Sequence, residues 1–271
     1  MNIIQAIILG LIQGATEFIP VSSSAHLVLV PWALGWPSPG LPFDTVVHWG
    51  TLAAVVSYFW ADLWRIVHAW LRALPALIRT RRLNDGEARL AWGIIIGTLP
   101  AAVLGALFND FFASLFSSPG AVAVFLLVTA LLLAITELGG SRVRNLECVN
   151  ATDAVLIGLA QAVAIAPGIS RSGTTIAAGL ARGLRREAAA RFSFLLSIPI
   201  IFGAGLTQLK DLIDTPGALS RLPILGIGFL AAAASGYLCI RFLLRYLQRG
   251  RLYIFATYCA LVGLAVLMVT A

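Results

Sequence analysis

Near the N-terminus two apolar stretches, residues 2–14 and 22–34, follow one another with Pro20 between them. Each has about 13 residues, too few for a helix to cross a lipid core that needs ~20. The break holds Gln13, Thr16, Glu17, Ser22, Ser23, Ser24 and His26. This pattern predicts a helical hairpin that enters a membrane and returns to the same side. Broken backbone at depth is tolerated only under a cover of protein or around a water-filled cavity, so the hairpin must pack among other helices. The phrase then returns. Gly158-Leu159-Ala160-Gln161 repeats Gly10-Leu11-Ile12-Gln13 at an offset of 148. The short pieces 154–166 and 173–183 flank a second break, Pro167 to Thr175, with one residue inserted. Two polar, broken segments in matching halves point to a site where the halves meet.

The rest of the chain supplies the cover. It is 59% hydrophobic and 11% charged, with a mean hydropathy of +0.92, whereas soluble domains carry about 25% charged residues. A soluble fold of 271 residues has no interior for so much apolar surface. Spans are expected at 43–64, 90–108, 120–138, from 191 to about 208, 222–247 and 252–270. Between them lie an amphipathic basic segment (65–89), a turn (109–119), a polar segment (139–152) and a loop (210–221). Each half is one hairpin followed by three spans. Three is odd, so the second half enters from the opposite face. The expected fold is an all-α integral membrane protein with six transmembrane helices and two re-entrant helical hairpins in inverted repeats. It forms a single membrane domain over 1–271, with repeat 1 about 1–138 and repeat 2 about 151–271.

Charge tests this order independently. With the 65–89 segment inside, sixteen of the nineteen basic residues fall on that face. Lys210 and Arg221 fall on the other, and Arg171 lies in the second break. That bias puts both termini outside. The net charge of +7 is then a topology signal, and no nucleic-acid partner is expected. Arg182 to Arg186 and Arg241 to Arg251 read as anchors facing acidic lipid. The first twenty residues lack a basic leader segment, so no signal peptide is expected. Cys148, Cys239 and Cys259 are scattered and odd in number, and read as packing residues rather than metal ligands or a disulfide.

The chemistry sits in the two breaks. Gln13 and Glu17 are four apart and share a face if the first helix continues. Their oxygens could share a divalent cation, Mg²⁺ or Ca²⁺, that also meets a phosphate; pairing of Glu17 with an arginine is the structural alternative. Ser22, Ser23 and Ser24 begin a new helix, where serine is usually a cap, but where free N–H groups also receive anions. His26 follows within a turn and could serve a serine as base. Arg171 is the one basic residue placed in a buried turn, so an anion must meet it. Its planar fork suits phosphate. Ser170, Ser172, Thr174 and Thr175 add hydroxyls, and no Walker loop is present. Asp44 and His48 have no clear assignment.

QGATEFIPVSSSAH and PGISRSGTT resemble the two signature motifs of the bacterial undecaprenyl-diphosphate phosphatases of the bacitracin-resistance type. The resemblance runs over the whole chain. It implies hairpins and spans in interlaced inverted repeats, in a bacterial cytoplasmic membrane, with the site opening to the periplasm. It implies removal of one phosphate from undecaprenyl diphosphate with a divalent cation, which recycles the lipid carrier for cell-wall synthesis. The family's Glu-or-Gln, three residues, Glu pattern is met by Gln13 and Glu17, its serine pair by Ser22 and Ser23, and its histidine by His26. Its second motif is met by Ser170, Arg171, Ser172 and Thr175. On this basis Ser23 is the first expectation for the nucleophile, with His26 as base and later acid. Attack by His26 itself or by a water held by Glu17 are the alternatives, and Glu17 and Arg171 complete the catalytic set. Ser22, Ser24, Ser170, Ser172, Thr174 and Thr175 are the expected substrate contacts, and Glu17 and Gln13 the expected metal ligands. The expected partners are a polyprenyl diphosphate and membrane lipids; a homodimer is one assembly open to the chain. The rival reading is a polyprenyl-phosphate transporter or flippase, since inverted repeats with broken helices are also the plan of secondary transporters.

Overall fold

A computed structural model describes residues 1–80, 85–108, 118–214 and 218–270. They form eleven α-helices: α1 (Ile3–Phe18), α2 (Ser23–Ala33), α3 (Leu41–Tyr58), α4 (Trp60–Thr80), α5 (Gly86–Leu107), α6 (Pro119–Thr136), α7 (Ala151–Val163), α8 (Arg171–Ala181), α9 (Arg186–Asp214), α10 (Ala218–Leu247) and α11 (Tyr253–Thr270). One 3₁₀ turn, Leu146–Cys148, precedes α7. No strand occurs among the described residues. Among the described residues five helices are long and apolar enough to cross a membrane: Gly86–Leu107, Pro119–Thr136, Arg186–Gln208, Arg221–Leu247 and Tyr253–Thr270. The chain is therefore a multi-pass helical membrane protein.

The two broken segments start alike. Asn2 caps α1 in a capping box with Gln5, and Asn150 caps α7 in a capping box with Asp153. Their spacing is again 148, the offset of the Gly-Leu-x-Gln phrase. Each then lies on a helix from the other half of the chain: α1 packs on α10, and α7 packs on α5. Close approach requires glycine at both crossings. A Cβ on Gly14 would stand 1.9 Å from Ser235 Oγ, and one on Gly158 would stand 2.5 Å from the carbonyl oxygen of Gly97. Small residues at helix crossings supply dispersion contact in lipid, where burying apolar area brings no gain. The returning helices α2 and α8 both pack on α6, which brings their N-termini side by side.

Several boundaries differ from the sequence reading. The first helix runs to Phe18 and so carries Gln13 and Glu17 on its last turns. The expected 43–64 span is broken at Phe59 into α3 and the amphipathic α4. α3 is not among the five apolar spans, because Asp44, Thr45, His48 and Thr51 interrupt its apolar run. The expected loop at 210–221 is largely helical, since α9 continues to Asp214 and α10 begins at Ala218. The turn expected at 109–119 falls mostly on residues 109–117, outside the described ones.

At the arginine-rich end two buried carboxylates tie the elements together. Glu137 accepts from Arg142 (2.7 Å), Arg186 Nε (2.9 Å) and the N–H of Leu252 (2.9 Å). Asp153 accepts from Arg182 Nε (2.7 Å) and Arg144. Arg182 and Arg186, expected to face lipid, are thus turned inward to carboxylates. Burial alone would push the Glu137 carboxyl up; the bonds from Arg186, Leu252 N–H and Arg142 outweigh it and hold the group at about 2. Cys148 is exposed rather than packed, Cys239 is half-buried and Cys259 buried, all as free thiols.

Candidate active site

Pro20 forces the preceding Ile19 to be extended, at φ −63° and ψ 131°. The chain then reverses at Ser22, the one non-glycine at positive φ (69°) among the described residues. A non-glycine here is strained by about 1–3 kcal/mol, and such strain gathers at functional sites. Ser22 Oγ accepts from Ala25 N–H at 3.3 Å and so caps α2. In the second break Gly168 takes φ +99°, and Ser170 Oγ accepts from Gly173 N–H at 3.1 Å to cap α8. Two capped helix N-termini therefore approach one another inside the bundle, and the Ser24 hydroxyl accepts from Gly168 N–H at 3.4 Å.

Glu17 is the hub. Its Oε1 accepts from Arg171 at 2.7 Å, across 154 residues of sequence. Its Oε2 accepts from Ser23 Oγ at 2.6 Å and from Gln13 Nε2 at 3.0 Å. His48 Nε2 stands 3.8 Å from the same oxygen. Arg171 also donates to the Ser193 carbonyl at 3.2 Å, and Thr175 Oγ1 meets Ser193 Oγ at 2.7 Å. Glu17 and Arg171 are nearly closed off, at 6% and 14% side-chain exposure. The equivalent of Gln13 in the second hairpin is Gln161. Four residues on from it stands Ile165 rather than an acid, and Gln161 turns to the Gly97 carbonyl instead. The Glu17 carboxylate and the Arg171 guanidinium thus come from different hairpins.

His26 lies elsewhere. Its Nδ1 is 2.7 Å from the Ser22 carbonyl, an acceptor only, so Nδ1 carries the proton. Its Nε2 is then free to accept from Tyr258 O–H at 2.8 Å. The expected His26–Ser23 pair is not formed; the partner of Ser23 is Glu17. Ser170, Ser172 and Thr174 direct their hydroxyls to one another or to their own helix turn. His48, Ser193, Thr129 and Tyr258 are the neighbours that sequence reasoning missed. Thr129 accepts from Ser170 N–H and donates to the Gly168 carbonyl, both at 3.0 Å, and so fixes the second break. Their only sequence signal is a polar residue in an apolar helix.

Toward a divalent ion the break offers one carboxylate, Glu17, and one amide oxygen, that of Gln13, and these two alone do not close a metal site. Gln13 presents its amide nitrogen to Glu17, and its buried Oε1 has no partner. No group of three His, Cys, Asp or Glu side chains able to hold a metal occurs among the described residues. What the arrangement offers is a hydroxyl with a carboxylate to take its proton, a guanidinium, and two helix N-termini. That set suits attack on a phosphorus centre.

Comparison with known proteins finds relatives along the whole chain. An undecaprenyl-diphosphatase of Thermomicrobium roseum is 45% identical, covering 100% of this chain and 99% of that protein. One of Moorella thermoacetica is 46% identical over 95% and 94%, and one of Methanobrevibacter smithii 48% over 99% and 98%. The family model described as Bacitracin resistance protein BacA matches residues 6–265, and the chain belongs to that family.

Proposed function

We propose that this protein is an integral-membrane phosphatase that hydrolyses undecaprenyl diphosphate to undecaprenyl phosphate and phosphate. The observation that carries the chemistry is Ser23 Oγ, 2.6 Å from a Glu17 carboxylate that also holds Arg171. In this reading the diphosphate lies over the N-termini of α2 and α8 and shares Arg171 with Glu17. Ser23 Oγ attacks the terminal phosphorus and its proton passes to Glu17 Oε2. The P–O bond to the lipid monophosphate breaks and its electrons leave on that oxygen. The leaving group is itself a phosphate, with a second pKa of about 6, so it needs no strong acid. Water then attacks the phosphoserine phosphorus, the P–O bond to Ser23 breaks, Glu17 returns the proton to Ser23 Oγ, and phosphate leaves. The transition state of phosphoryl transfer is loose, so positioning and charge neutralisation by Arg171 carry most of the acceleration. His26, fixed between Ser22 and Tyr258, holds the strained turn that aims Ser23. A divalent cation, Mg²⁺ or Ca²⁺, would add positive charge to the bound diphosphate, and Glu17 would be the carboxylate to hold it.

Orientation follows the same reading. The arginine-rich end faces the cytoplasm, and α3 acts as the sixth crossing, completing interlaced inverted repeats in a bacterial inner membrane. The site then opens toward the periplasm. Transport alone has no need of the Ser23–Glu17 pair. Phosphate release from a prenyl diphosphate by purified protein in detergent, where transport cannot be scored, separates the readings; a folded protein that releases none refutes the enzyme. Ser23→Ala should abolish kcat while KM hardly moves, because Arg171 and the helix N–H groups still hold substrate. Release at near wild-type rate by that variant would remove Ser23 as nucleophile.

A further inference from the structure

A shallow, open groove of about 430 Å³ lies between side chains on one face of α10, those of Leu238, Arg241, Phe242, Arg245 and Tyr246. The spacing of these residues puts them on one helix face, and Leu238, Arg241, Phe242 and Arg245 are exposed. The apolar part of α10 spans Arg221–Leu247, 27 residues, or roughly 40 Å of helix against a hydrocarbon core of about 30 Å. Its last two turns therefore reach headgroup depth.

Five arginines at the same end are held by carboxylates, whereas Arg241 and Arg245, like Arg185, Arg249 and Arg251, have no such partner among the described residues. Arg142 and Arg186 pair with Glu137, Arg144 and Arg182 with Asp153, and Arg191 with Asp62. The sequence has no Asp or Glu after Asp214. The helix C-terminus accounts for one cation in the last turn, Arg245, and not for Arg241. The aromatic wall is also fixed in advance. Tyr246 O–H donates to the Arg251 carbonyl at 2.9 Å. Its ring lies near-parallel to Phe242 (6.0 Å between centroids) and edge-on to Phe255 (5.5 Å). It rests against Gly250, where an added Cβ would come within 2.4 Å of it.

We infer that this groove binds one anionic phospholipid of the leaflet at the arginine-rich end. The headgroup phosphate sits between the two guanidinium groups and an acyl chain lies along Phe242 and Leu238. This binding site is separate from the phosphatase site.

The test is native mass spectrometry of the purified full chain titrated with phosphatidylglycerol or phosphatidylcholine. Two arginines near an anionic headgroup should make the first phosphatidylglycerol bind about 30-fold tighter than phosphatidylcholine. Arg241→Gln/Arg245→Gln should bring that ratio close to one, and either single change should lower it about fivefold. Arg249→Gln/Arg251→Gln removes the same charge outside the groove and should leave the ratio unchanged. Equal loss in that control would overturn the site in favour of diffuse attraction. So would an unchanged ratio in Arg241→Gln/Arg245→Gln, or no preference in the wild type. Should the double variant fail to fold, the two single variants decide by the same ratio.

Discussion

Replacing Arg171 with alanine strands Glu17. The carboxylate is 6% exposed and its one short ion pair is with Arg171 at 2.7 Å. Breaking a buried pair by deleting one partner costs about 3–5 kcal/mol, because the other charge stays buried. Ser23 and Gln13 still donate to Glu17, so the loss should lie at the lower end, about 3 kcal/mol. For a chain of this size that is a fall in Tm of roughly 6–12 °C. Adding Glu17→Gln removes the stranded charge and should recover roughly 2 kcal/mol of the loss. Turnover should not recover. Arg171→Ala should lower kcat by about 10³ or more, and the double variant, lacking both the guanidinium and the proton acceptor, should be no better. The assays are thermal unfolding in one detergent and phosphate release from the prenyl diphosphate. Additive Tm losses in the double variant would refute the pairing. Arg171→Ala turning over within about tenfold of wild type would refute Arg171 as the main charge on the phosphate.

Glu137 makes stability depend on pH at the arginine-rich end. Its carboxyl is lowered from 4.5 to about 2, so its contribution is full above 4.5 and is lost as pH falls toward 2. Glu137→Gln should cost about 1–2 kcal/mol at pH 7, after allowance for solvent screening, and flatten that acid limb, read by unfolding at a series of pH values. At Ser22, with φ 69°, glycine relieves strain while alanine keeps it, so Ser22→Gly should be more stable than Ser22→Ala by about 1 kcal/mol; the reverse order in thermal unfolding would contradict a strained turn. Cys148 is a natural reporter of orientation because it is exposed at the arginine-rich end. An impermeant maleimide should spare it in intact cells and label it in inverted vesicles; labelling in intact cells would reverse the topology.

Local rules made part of this protein legible in its sequence. Helix length against bilayer thickness, a proline after Glu17 and the repeated Gly-Leu-x-Gln phrase were enough to expect two broken hairpins. The energy of a buried guanidinium was enough to demand an anion for Arg171. Those arguments depend on residue type and spacing, which the chain carries openly. The partners did not follow from them. Spacing allowed His26 to reach Ser23, since a helix places residues three or four apart on one face, yet the Ser22 turn sends that ring to Tyr258 and leaves Ser23 to Glu17. The break at Phe59 was equally hidden, because the apolar run continues through it while the packed chain divides there into α3 and α4. His48 joined Glu17 only through the packing of α3 beside α1. Which of many arginines stay free was set the same way. Glu137 and Asp153 each draw in arginines from far along the chain and leave Arg241 and Arg245 to the lipid. A side chain's reach is a local property, but its partner is chosen by which helices cross, and that is decided by glycine contacts between the two halves of the chain, Gly14 against Ser235 and Gly158 against Gly97.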